Sequence, residues 1–124
     1  MIFQSVFENF QVLSNGTDAF KQLKVECEQS IKNSKDPLDY AALFFIYGFA
    51  KNYVLLYEDQ AISPEFAKKA KDQLLGYMHD LNEALISQDT SLILSTLKKK
   101  KKNYIESSKI FWRLNYWYLT INGR

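Results

Sequence analysis

One cysteine, one histidine, two prolines and four glycines in 124 residues bound this chain more tightly than anything it has in abundance. Cys27 stands alone, so no internal disulfide can form and nothing points to an oxidising compartment. His79 is the single imidazole, which excludes metal sites built on two or more histidines. The residue three before it is Gly76, so the Glu-x-x-His pair of di-iron bundles is absent too. Gly16, Gly48, Gly76 and Gly123 are isolated and none follows a strand pattern, so there is no glycine-rich phosphate loop. Few breakers favour long helices over many short strands and turns. A long uncharged apolar run is also missing. Residues 40–50 give eleven, and Lys51-Asn52 then interrupts them, well short of the roughly 20 needed to span a bilayer. The opening MIFQSVFENF has no basic region and carries Glu8, so no targeting segment is expected and the cytoplasm is the expected location.

What the chain does have is apolar and aromatic side chains, 47% hydrophobic and 15% aromatic, the latter a rich share for a globular protein. A chain of this length fits one domain, 1–124, that buries roughly two thirds of its unfolded surface. The net charge of +2 is unevenly spread: residues 1–60 hold five lysines against eight acids, and residues 61–124 hold eleven Lys and Arg against six. Most of the basic excess lies in Lys98, Lys99, Lys100, Lys101 and Lys102.

The periodicity predicts an all-α fold: a single-domain bundle of about five helices around a buried central helix, roughly 37–59. Ile2, Phe3, Val6, Phe7, Phe10 and Leu13 line one helical face, and Asn15-Gly16 predicts a left-handed C-cap after it. Thr17 or Asp18 is the expected cap of a second helix with Phe20, Leu23, Cys27 and Ile31 on its apolar side. Asp36-Pro37 and Ser63-Pro64 are start signals, because the side-chain oxygen accepts from an orphan amide and proline at the first helical position has none to satisfy. The stretch YAALFFIYGFAKNYVLLY between them is apolar on every side when wound as a helix, which predicts burial all round, Phe45 and Leu55 included. Phe66, Ala67, Ala70, Leu74, Met78, Leu81 and Leu85 mark an amphipathic fourth helix. Gly48 and Gly76 fall inside helices, where the expected reason for glycine is close approach of a neighbouring helix.

Asp89 or Thr90 can cap a last segment beginning SLILSTL. The five lysines that follow sweep about 400° of helical arc, so the run is expected where the helix protrudes or breaks. Residues 110–121, IFWRLNYWYLTI, keep helical spacing and also have high β propensity; helix is the expectation.

Catalytic chemistry is sparse. His79 reads as a surface or boundary residue, with Glu83 at i+4 as its one orienting carboxylate. Cys27 lies in an apolar stripe beside Glu26 and Glu28, which discourage a thiolate. No enzyme, cofactor or metal site is therefore expected. By fold-level analogy alone, compact helical bacterial or phage proteins of this kind are often inhibitors, immunity proteins or antitoxins that block a partner protein, and protein binding is the leading expectation. The expected contact residues are Lys98, Lys99, Lys100, Lys101, Lys102, Tyr104, Arg113, Tyr116 and Trp117, because Tyr, Trp and Arg dominate interfaces. A basic partner would instead select Glu26, Glu28, Asp36, Asp39, Glu58 and Asp59. The alternatives are nucleic-acid binding through the lysine run, attachment to a membrane surface by the same lysines and the Trp-rich segment, and a homodimer or structural subunit of an oligomer.

Overall fold

A computed structural model describes residues 2–107, and they form five helices: α1 (Ile2–Gln11), α2 (Thr17–Asn33), α3 (Pro37–Tyr57), α4 (Pro64–Ser87) and α5 (Thr90–Ser107). Among the described residues there is no strand, and the all-α bundle expected from periodicity is what the chain forms. Residues 110–121, with Arg113, Tyr116 and Trp117, lie outside the described residues.

Both proline start signals work as expected. Asp36 accepts from the Leu38 amide at 2.9 Å and Ser63 accepts from the Phe66 amide at 3.1 Å, each with proline at the first turn. Asp89 accepts from the Leu92 amide at 3.2 Å and so starts α5. The start of α2 differs from expectation. Gly16 takes an extended conformation (φ −94°, ψ 176°) and is itself the N-cap of α2, so it is no left-handed C-cap of α1, and Thr17 and Asp18 lie inside the helix. A glycine N-cap offers no side-chain acceptor, and α2 starts without a side-chain cap.

α3 contacts all four other helices, which makes it the centre of the bundle. α2 runs antiparallel along it: Phe20 stacks on Tyr53 with centroids 3.9 Å apart, and Lys21 pairs with Glu58 near the far end. Phe3, Phe10, Phe20, Leu43, Ile46, Phe49, Tyr53, Tyr57, Leu74, Met78 and Leu81 are fully enclosed, an aromatic-rich core assembled from four helices. Burial pushes the Tyr53 phenol up to about 12.

α3 is nevertheless not enclosed on all sides. Tyr40, Phe44 and Leu55 are 45%, 56% and 71% exposed, so the expectation of burial all round fails at Leu55. The reason is geometric: the other four described helices surround α3 incompletely and leave one stripe along it uncovered.

α5 continues unbroken through the five lysines, contrary to the expected protrusion or break. It rests on α4 and α3 by a narrow stripe, Ile93, Leu97, Lys100 and Tyr104, at intervals of four, three and four. Only one lysine therefore falls inward, and its ammonium group reaches Asp80 on α4 at 2.6 Å. The other four remain exposed.

Candidate functional site

The uncovered stripe of α3 is the feature the fold leaves unexplained. Tyr40, Phe44, Tyr47, Lys51 and Leu55 follow one another at helical intervals along a single side, with Tyr47 and Gly48 half-buried between exposed neighbours. Tyr40 and Phe44 lie ring beside ring, nearly parallel, with centroids 6.4 Å apart. Next to them Leu94, Lys98, Lys101 and Ile105 share one flank of α5 by register, Leu94 and Ile105 each about half exposed. Between the two helices lies an open cavity of about 250 Å³ lined by Phe44, Phe45, Gly48, Asn52, Lys101, Tyr104 and Ile105. The result is an apolar face with lysines at its edge, and no acid lines the cavity.

The sequence-predicted contact residues are divided by the fold. Lys98 and Lys101 border this face, Lys102 lies one turn beyond Lys98 toward the solvent side, and Lys99 falls on the back of α5 by register. Lys100 is engaged with Asp80, and its ammonium group holds the Asp80 carboxyl below the usual carboxylate range. Tyr104 packs its ring on Phe49 at 4.9 Å and accepts from Asn52 Nδ2 at 3.0 Å, so it serves as a wall of the cavity. Burial pushes its phenol up.

The acids named as the opposite choice of contact surface are largely committed within the chain. Glu26 accepts from Asn9 at 2.6 Å, Glu28 lies 4.0 Å from Lys24, Glu58 pairs with Lys21, and Asp36 caps α3. Asp39 is buried, 5% exposed, and accepts from Ser34 Oγ at 3.1 Å.

His79 is exposed, with Nδ1 3.2 Å from Asp80 and Nε2 3.7 Å from Glu83, and its ring edge meets Phe7. Cys27 is fully buried, and burial first, then the two flanking glutamates, push its thiol up to about 12, which leaves it inert as a nucleophile at neutral pH. Among the described residues no group of three His, Cys, Asp or Glu side chains could hold a metal ion, and no helix is long and apolar enough to cross a membrane.

Sequence reasoning passed over Phe44, Gly48 and Leu55. The signal was present in Lys51, the one charge in the apolar stretch: stepping three or four residues from it in both directions traces Tyr47, Phe44, Tyr40 and Leu55, the side that stays wet. Gly48 was read as a close-packing position, and that reading is corrected. A Cβ placed at Gly48 or at Gly76 would meet no described residue within 4 Å, so none of the five described helices needs the missing side chain.

An all-α bundle, five helices among the described residues, with an apolar, lysine-edged face is thus the class that fold and site define. No family model matches the chain, and neither curated proteins nor solved structures include a significant match to it.

Proposed function

We propose that this chain is a non-enzymatic protein-binding module of the inhibitor, immunity or antitoxin kind, acting in the cytoplasm by covering a surface of a partner protein. The observation that carries the reading is the exposed apolar stripe on α3: Tyr40, Phe44 and Leu55 stay in water on the most hydrophobic helix of the bundle. Contiguous exposed apolar surface with a polar rim marks a contact site. Lys51, Lys98 and Lys101 supply that rim and favour an acidic partner. The nucleic-acid reading has less support, since Lys100 is engaged with Asp80 and the Tyr104 ring is already stacked on Phe49.

The test is site-specific photocrosslinking in the native host. With p-benzoylphenylalanine in place of Phe44, one protein should crosslink reproducibly, and the same reagent at the exposed Val25 of α2 should not capture it. The purified partner should then bind the wild-type chain at least about tenfold more tightly than the Phe44→Asp, Lys101→Glu double variant. Retention on single-stranded RNA or DNA, lost when Lys98, Lys99, Lys101 and Lys102 become Gln and unaccompanied by any crosslink from position 44, overturns the reading.

A further inference from the structure

Gly48 is a costly residue with no structural beneficiary among the described residues. It sits in the middle of α3, where glycine weakens a helix relative to alanine. Its conformation needs no glycine, because no glycine of the described residues has positive φ. Its missing side chain admits no neighbouring helix among the described residues, because a Cβ there would meet none of their atoms within 4 Å. The space it leaves is instead part of the open cavity walled by Phe44, Phe45, Tyr104 and Ile105.

We infer, building on the protein-binding reading above, that the notch over Gly48 receives one apolar side chain from an acidic amphipathic helix of the partner. At about 250 Å³ the notch falls below the roughly 300–1,000 Å³ of pockets that enclose a small-molecule ligand, and it fits the end of a single large side chain. The exposed stripe of α3 and the parallel flank of α5 make two rails on which such a helix lies, the usual arrangement of a helix in a groove. Charge selects the occupant. Lys101 lines the notch, Lys51 and Lys98 stand on the same two helix faces, and no acid is among the lining residues. A second copy in a two-fold contact would bring this lysine rim against itself. Residues 108–124 of the chain carry Lys109, Arg113 and Arg124 and no acid, so they match the rim equally poorly. A lipid surface calls for protruding apolar groups, whereas the centre of this face is a recess.

The experiment uses the full chain and two synthetic helical peptides about 18 residues long, with Leu and Phe at three- and four-residue intervals and either Glu or Lys elsewhere. Binding is read by fluorescence anisotropy for wild type, Gly48→Leu and Gly76→Leu. Gly76 is the control: it is likewise open at the Cβ and mid-helical, and it lies exposed on α4. Both variants should keep or raise Tm, since leucine is the better helix former and a Cβ at either position meets no described residue within 4 Å; measuring Tm for each separates a loss of binding from a loss of fold. The acidic peptide should bind wild type at least about tenfold more tightly than the basic one, Gly48→Leu should weaken it at least about tenfold, and Gly76→Leu should leave it unchanged. Equal binding of the two peptides, or indifference to Gly48→Leu, overturns the inference. So does binding to phosphatidylglycerol vesicles in preference to the acidic peptide, a dimer that Gly48→Leu dissociates, or a crosslink from position 44 into residues 108–124 of the same chain. If a partner is captured from position 44 and Gly48→Leu leaves its affinity untouched, the notch falls and the protein-binding reading stands.

Discussion

Phe45 and Leu55 are ten residues apart on the same apolar helix and have opposite surroundings. Phe45 is 7% exposed and packs against the rings of Tyr77 and Tyr104, whereas Leu55 is 71% exposed. Phe45→Ala should therefore lose about 3–5 kcal/mol, the transfer free energy of the ring plus the cavity it leaves. Leu55→Ala should change stability by no more than about 0.5 kcal/mol, as exposed positions do. Urea denaturation of the two variants checks this, and equal losses would mean that the stripe is covered in solution. Cys27 makes the same point in the opposite sense: enclosed between helices, it behaves as a small apolar residue, and its thiol chemistry is silenced by desolvation.

At the scale of the element, α1 shows how a helix can be held by charges it does not own. It has no acidic residue in its first turn and no basic residue in its last. Asp39 of α3 lies against its beginning, where the Phe3 amide partly offsets the upward push of burial on the Asp39 carboxyl. Lys71 of α4, only 4% exposed, donates to the Leu13 carbonyl just past the end of α1 and lies 5.3 Å over the Phe10 ring. A carboxylate at the amino end and an ammonium at the carboxyl end both complement the helix dipole. Lys71→Met keeps the apolar stem and removes the charge and the bond, so it should cost about 2 kcal/mol. Hydrogen exchange should quicken in α1 before the rest of the bundle if the lysine anchors that helix in particular. Uniform protection across α1 and α4 in the variant would mean that apolar packing alone holds α1.

For the molecule as a whole, two buried or paired carboxyls give stability opposite pH dependences. Burial raises Asp39 above its ordinary 3.8, so over the window just above that value the folded state keeps a proton that the unfolded chain has lost, and stability falls as pH rises through it. Lys100 lowers Asp80 below 3.8, so its contribution is present above that value and is lost as pH falls through the depressed one. Between about pH 3 and pH 6, Asp39→Asn should remove the decline on the alkaline side, and Lys100→Gln should flatten the acid-side loss. Denaturation midpoints across that range distinguish the two, and a profile unchanged in both variants would show that neither group is perturbed in solution.

The sequence by itself determined the helices. Their starts were legible at Asp36-Pro37, Ser63-Pro64 and Asp89, because capping is local chemistry between a side chain and an amide two or three residues on. The apolar side of the amphipathic helices was legible because side chains repeat with the helical period. α3 gave far less direction: with apolar residues nearly all round it, Lys51 alone marked a wet side, and the number and placement of its neighbours decided that Tyr40, Phe44 and Leu55 stay outside. The same holds for the lysine run, where a stripe only one residue wide per turn turned Lys100 toward Asp80 and left four lysines in water. It holds for Gly16 and Gly48 as well, since what surrounds a missing side chain is a matter of distance in space. The tertiary structure alone placed a notch beside an exposed apolar stripe, because contacts between residues some fifty positions apart, such as Asn52 with Tyr104, have no local signature in the chain.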